Sequence, residues 1–378
     1  MTENYTALYE QHKKAGASFT DFGGWQMPLK YESELAEHHA VRNAAGLFDL
    51  SHMGEVWVSG PDAAAFLDYA LVGKLSAVAV GKAKYSLICN TDGGIIDDLI
   101  SYRRPSPEDG VDEYLVVPNA GNAKVVAAAL LDRAAGFDVV VRDASAETSL
   151  IAVQGPNAEA ILLTLVPAGQ HQLVRDLKYY AAVEADINGQ ELLLARTGYT
   201  GEDGFEIYIP NVDAAGLWEA LLDAGESHGL IPAGLAARDS LRLEAGMPLY
   251  GNELSRYVNA YAAGLGPVVS LAKESDFVGR KALTAIKSAG VGSTIGPKLV
   301  GLKGTGRRAA RAHYSVLKDG TLIGEVTSGQ PSPTLGYPVA LAYVDVAHSE
   351  PGTIVDVDLR GKLEPFEVVS LPFYKRIN

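Results

Sequence analysis

The chain has 378 residues, 47% of them hydrophobic and 21% charged, an ordinary balance for a folded protein of two or three domains. Its formal net charge of −14 sets it against nucleic acid phosphates and anionic membranes. One cysteine, Cys89, excludes an intrachain disulfide, a thiolate zinc site and an iron–sulfur cluster.

The opening residues carry Glu3 and Glu10 and lack both the apolar core of a signal peptide and an Arg-rich transit pattern. No apolar run approaches the ~20 residues of a membrane helix. A cytoplasmic protein is expected. A short helix is predicted over Thr6–Ala17, and a second from Glu32 to Ala45 with Gly46 as its C-cap. Val56 and Val58 predict a strand that turns at Gly60-Pro61 into a helix over Asp62–Leu71. The strand Tyr85–Asn90 reaches Thr91-Asp92-Gly93-Gly94, a hairpin turn, and returns as Ile95–Arg103. After a surface loop over 104–112 come a strand at Tyr114–Val117 and a helix over about Asn122–Ala135. The pattern then recurs: a strand at 149–153, a helix at 156–166, strands within 182–195 and 205–209, and helices at 213–228 and 234–245. Hairpins interleaved with helices predict an α+β class rather than a doubly wound parallel sheet. Beyond about residue 275 a glycine-rich join at 290–298 leads into short, evenly spaced strands, which predict a small β-barrel or sandwich.

Three segments carry candidate chemistry. In Gly93-Gly94-Ile95-Ile96-Asp97-Asp98-Leu99, adjacent strand residues face opposite ways, so Asp97 and Asp98 cannot share an environment. An inward Asp among isoleucine and leucine needs a partner, or it holds a proton and becomes suited to proton exchange. A turn-proximal Asp satisfied by backbone amides is the equal alternative. In the loop Arg196–Glu206, glycines bracket Tyr199 and the acids Glu202 and Asp203. Glycine there permits close backbone approach to something planar or bulky. An acidic hairpin loop accounts for Glu202 and Asp203, but less well for Glu206, which lies between Phe205 and Ile207 in a strand. In Gly234–Gly251, Arg238 lies in the first turns of a helix, where it and the amides form an anion site. The alternative is a surface helix with internal ion pairs. His38 and His39 are adjacent and do not make the i, i+4 pair of a metal site. His52 beside Ser51 is no catalytic dyad and is expected as an ordinary or pocket-lining histidine.

These segments occur in one order with Leu8-Tyr9-Glu10, Phe22–Leu29, Ala40-Val41-Arg42, Gly46–Gly54, Val153-Gln154-Gly155-Pro156, Gly306-Arg307-Arg308 and Thr327–Gly336. Taken together, nearly end to end, the chain resembles the aminomethyltransferase family, the T-protein of the glycine cleavage system. The resemblance implies a three-domain cloverleaf around a central folate cavity: two α+β units and a C-terminal barrel-like domain. Residues 1–275 are then a folate-binding region of two intertwined domains, and 276–378 the barrel domain. Tetrahydrofolate is implied as co-substrate, a lipoylated H-protein as partner, and neither metal nor flavin as cofactor.

By the same resemblance Asp98 is the catalytic carboxylate beside the folate nitrogen that links pterin to benzoyl ring, with Asp97 its structural neighbour. Glu206 reads the pterin edge, and Arg238 binds the ligand. Tyr85, Tyr102, Tyr179 and Tyr199 wall the pocket with Met53, and Asn119 contacts folate. Two departures stand out: Ala236 replaces a commoner glycine, and Pro118 precedes Asn119 where an aliphatic residue is usual. A folate-binding maturation or repair protein, or a folate-dependent demethylase subunit, is the alternative. The former carries a cysteine-containing motif where this chain has Met247–Glu253, and the latter is usually fused to a flavin domain.

Overall fold

The computed structural model describes residues 3–106, 108–289 and 296–376. Residues 290–295 of the glycine-rich join lie outside them. The chain divides into two compact units, 1–67 with 75–85 and 99–239, and 68–74 with 86–98 and 240–378.

The first unit holds a six-stranded sheet in the order Ala182–Ile187, Gln190–Ala195, Gly204–Pro210, Thr148–Gln154, Ala45–Asp49, Leu230–Pro232. Leu230–Pro232 runs parallel to Ala45–Asp49, and the other pairings are antiparallel. This mixed sheet fits the α+β expectation. Its core gathers Leu47, Ile151, Val153, Leu194, Phe205 and Ile207 with Leu162, Trp218 and Leu221 from the helices Ala158–Leu165 and Ala214–Gly225. A second sheet has the order Ala83–Cys89, Ile95–Arg104, Asp112–Pro118, Val56–Gly60, Val140–Asp143.

One prediction needs correcting here. Gly46 is not the cap of the helix Glu34–Asn43, which ends at Ala44. It lies inside the strand Ala45–Asp49, where an added Cβ would come within 2.5 Å of the Val41 side chain. The glycine serves close helix–strand packing rather than a left-handed turn. A hairpin unforeseen in the sequence, Ser18–Phe22 with Trp25–Lys30, turns at Gly23 and Gly24. Both have positive φ, 62° and 88°, which a tight hairpin turn of this hand demands.

The second unit contains a closed six-stranded barrel, ordered Lys298–Gly304, Pro338–Val344, Thr321–Pro331, Ser315–Lys318, Ile354–Asp358, Leu363–Val369. Closure leaves no open sheet edge. The interior is Val300, Leu302, Val316, Val326, Ala342, Val355 and Phe366. The helix Arg280–Ala289 precedes the barrel and had no counterpart among the predicted elements. Lys273 ties segment 68–74 into this unit, donating to the carbonyls of Asp68, Leu71 and Gly73 at 2.5, 2.7 and 2.8 Å.

Arg242 departs from the surface-helix alternative. Its side chain is 1% exposed and meets Glu253, 0% exposed, at 3.0 Å. Arg242 also donates to the Ser328 hydroxyl at 2.7 Å, and that hydroxyl donates to Glu253 at 2.6 Å. Removing one member of such a pair strands a buried charge, at a cost of about 3–5 kcal/mol. Arg242→Met is therefore expected to lower the unfolding free energy by that amount in denaturant melts. Adding Glu253→Gln should recover a large part of it, and additive losses would show that the two side chains do not act as a pair.

Candidate functional site

Glu206 is the centre of the first unit's polar interior. Its strand is buried along nearly its whole length, and Glu206 itself is 8% exposed. The Thr197 hydroxyl donates to Glu206 Oε2 at 2.5 Å. Tyr102, 1% exposed, has its hydroxyl 2.9 Å from the same Thr197 oxygen. Burial pushes the Glu206 carboxyl above the usual range, and the Thr197 hydroxyl, the Arg238 charge and Tyr102 pull against that rise. The Tyr102 phenol is driven up by burial and by the nearby Glu206.

The loop before this strand is built on Gln154. Its amide nitrogen donates to the Thr197 carbonyl at 3.0 Å, and its amide oxygen accepts from the Thr200 hydroxyl at 2.9 Å. Added Cβ atoms on Gly198 and Gly204 would fall 2.0 and 2.4 Å from that amide. The planar object that the glycines were expected to admit is thus the protein's own glutamine. The loop acids are tied down as well. Glu202 meets Arg42 at 3.1 Å, and Asp203 meets Arg196 at 3.0 Å. Arg42 also holds the Thr200 carbonyl at 2.7 Å. These bonds make the loop a fixed frame for Thr197 and Tyr199 rather than a solvated acidic turn.

Arg238 lies over the Tyr199 ring, its guanidinium carbon 4.9 Å from the ring centroid, a cation–π arrangement. Burial lowers its pKa, while Tyr199 and Glu206 raise it. The amide just before this helix is already engaged, because Gly234 N–H donates to Glu37 at 2.8 Å. That narrows the anion site expected at the helix start. His52 stands edge-on to Phe22 at 5.4 Å. Burial and the Arg238 charge hold its pKa down to about 4, so it is neutral near pH 7.

Glu55 has both carboxyl oxygens buried without a hydrogen-bond partner among the described residues. Burial, then the nearby Asp143, raises its pKa well above the usual range. The folded chain therefore keeps a proton there that the unfolded chain releases above its ordinary pKa of about 4.3. This contribution to stability is complete below that value and is lost as pH rises toward the folded pKa. Glu55→Gln cannot titrate. Its stability relative to the parent is expected to rise between pH 5 and pH 8 in urea melts, and a constant difference would show that Glu55 is not protonated in the folded chain.

The other predicted positions fall as follows. In the second unit, the strand alternation holds: Asp97 is fully buried and Asp98 is partly exposed. In the first unit, Tyr85 and Met53 are half-buried, and Met53 closes a turn onto the Leu50 carbonyl. Tyr179 is 50% exposed and packs edge-on against Tyr180 at 4.8 Å. Asn119 stands at the start of a short 3-10 turn and accepts from Asn122 N–H. Pro118 ends its strand, with its carbonyl accepting from Gly54 N–H at 3.0 Å. Among the described residues, no three His, Cys, Asp or Glu side chains are grouped as metal ligands, and no helix is long and apolar enough to cross a membrane.

Family models match almost the entire chain. The "GCVT N-terminal domain" covers residues 8–273, and the "Glycine cleavage T-protein C-terminal barrel domain" covers 298–375. The chain belongs to the glycine cleavage T-protein family. Within that family it is 56% identical to an aminomethyltransferase of Streptomyces avermitilis, over 98% of each chain. It is 47% identical to the aminomethyltransferase of Bacillus subtilis, over 98% of this chain and 99% of the relative. The crystal structure of glycine cleavage system aminomethyltransferase T from Bartonella henselae superposes with a TM-score of 0.89 at 40% identity, over 98% of each chain.

Two polar groups around the Glu206 carboxyl escaped the sequence reading. Gln154 was visible within Val153-Gln154-Gly155-Pro156, but its role needs the register that sets it opposite Gly204. Thr197 lies in an irregular loop, where no periodicity assigns a face.

Proposed function

We propose that this chain is the aminomethyltransferase of a glycine cleavage system. The reaction moves the one-carbon unit of an aminomethyl group, held on the lipoyl arm of an H-protein, to tetrahydrofolate. The products are 5,10-methylenetetrahydrofolate, ammonia and the dihydrolipoyl arm. The carbon–sulfur bond and the carbon–amine bond break, and two carbon–nitrogen bonds to folate form. The two N–H protons that folate gives up balance those gained by the sulfur and the departing amine. The observation that carries this reading is the match, over 98% of the chain, to relatives named as aminomethyltransferases.

Each residue has a role in this chemistry. Asp98 orients the folate nitrogen between pterin and benzoyl ring and accepts charge as that amine attacks. Its partial exposure supports this choice over the buried Asp97. Glu206 accepts from the adjacent N–H and amino group of the pterin, a donor pair that a carboxylate matches with both oxygens. Arg238 binds the ligand beside Tyr199. Tyr85, Tyr179 and Met53 supply apolar contact, and Asn119 a polar one. Tyr102, with its hydroxyl engaged by Thr197, stands behind Glu206 rather than against the ligand. The chain acts in the cytoplasm, with the H-protein as its partner and no metal or flavin required.

The test is turnover. Purified protein given an aminomethyl-lipoyl carrier and tetrahydrofolate is expected to release ammonia and methylenetetrahydrofolate together. Tight folate binding with no turnover would reject the aminomethyltransferase and favour a folate-binding protein of another activity.

A further inference from the structure

The Glu206 carboxyl is held by a neighbouring hydroxyl. Oε2 accepts the Thr197 hydroxyl at 2.5 Å. The carboxylate is thus anchored to the protein through Oε2.

The direction of the protons follows from valence. A threonine hydroxyl has one proton. With Glu206 ionised, that proton points to Oε2, so the 2.9 Å contact with Tyr102 must be filled by the tyrosine proton. Both hydroxyls are then polarised toward the carboxylate. If Glu206 were protonated on Oε2, the same chain would reverse, and the carboxyl head would cease to be a pure acceptor. Thr197 itself is held from behind, its carbonyl fixed by the buried Gln154 amide.

We propose that Thr197, backed by Tyr102, is a positioning residue that locks the Glu206 carboxylate in one rotamer and as an acceptor-only group, so that it selects a ligand edge bearing two adjacent N–H donors. The inference rests on the reading of Glu206 as the ligand-recognising carboxylate. A 2-amino-4-oxo pterin presents such an edge. A ligand with an acceptor in either place meets an oxygen lone pair and is rejected. The anchored Oε2 keeps a second lone pair for the ligand, so the bond to Thr197 does not compete with recognition.

The test compares Thr197→Val, Thr197→Ser and Tyr102→Phe with the parent enzyme, measuring KM for tetrahydrofolate, kcat and the pH dependence of folate affinity. Thr197→Val is expected to raise KM about tenfold, the loss of one charge-assisted hydrogen bond, with kcat changed less than about threefold. Its affinity should also fall away at a higher pH than in the parent, because Glu206 loses the hydroxyl that favours its ionised form. Thr197→Ser keeps the hydroxyl and should restore both KM and the pH profile. Tyr102→Phe should lie between. Parent-like KM and pH profile in Thr197→Val would overturn the proposal. So would equal damage in Thr197→Val and Thr197→Ser, which would mark a packing role for the methyl group. Glu206→Gln separates the two levels: parent-like folate affinity there defeats the reading of Glu206 itself, whereas weak binding there with unaffected Thr197 variants defeats only the positioning role.

Discussion

Asp98→Asn is expected to bind tetrahydrofolate within about threefold of the parent while kcat falls by about 10²–10⁴, the usual worth of a carboxylate acting on a proton or charge in the transition state. The substitution preserves size and one carbonyl acceptor, so the ligand is still held. It removes the negative charge that stabilises the folate amine as it attacks the one-carbon unit. Asp97 is the natural control. Fully buried, with its side chain on the opposite face of the strand Ile95–Arg104, it should reveal itself in stability when changed to Asn. Rapid-quench turnover beside equilibrium folate titration separates the two. Loss of turnover in Asp97→Asn with a parent-like Asp98→Asn would reverse the assignment.

Glu206→Gln should act on the opposite parameter. An amide cannot accept from two adjacent N–H groups, because its own NH2 faces one of them. Folate affinity is expected to fall by about 10- to 100-fold, the range for charged hydrogen bonds lost in a dry site, while bound folate still turns over. The pH dependence carries the same signature. Burial raises the carboxyl above its ordinary range, so parent affinity should decline as pH falls through that raised value, earlier than for an exposed glutamate. In Glu206→Gln this acid limb should vanish. A limb that persists would assign the titration to another group.

Much of this was legible in the chain. The hairpin at Gly93-Gly94 and the alternation through Asp97 and Asp98 follow from turn chemistry and the strand period, and the partly exposed carboxylate is the one the family resemblance selects. The late β-rich region was legible as short strands, although closure into a barrel rather than a sandwich depends on pairing Lys298–Gly304 with Leu363–Val369, contacts far apart in sequence. Illegible features share one cause, dependence on tertiary neighbours. Gly46 looks like a helix cap until Val41 is seen against it. The Gly23-Gly24 hairpin has little flanking alternation to announce it. Arg242 reads as a surface cation on a helix, yet Glu253 and Ser328 enclose it. Thr197 acquires its role only because Tyr102 and Glu206, distant in the chain, meet its single hydroxyl.

The central claim is that the one-carbon unit passes directly from the lipoyl arm to tetrahydrofolate. Following a 13C-labelled aminomethyl carbon by NMR during a single turnover tests it most directly. The account predicts that the label moves into the methylene bridge of 5,10-methylenetetrahydrofolate as ammonia is released, only when folate is present, and far more slowly in Asp98→Asn. Label appearing as free formaldehyde at the same rate with and without folate would contradict it.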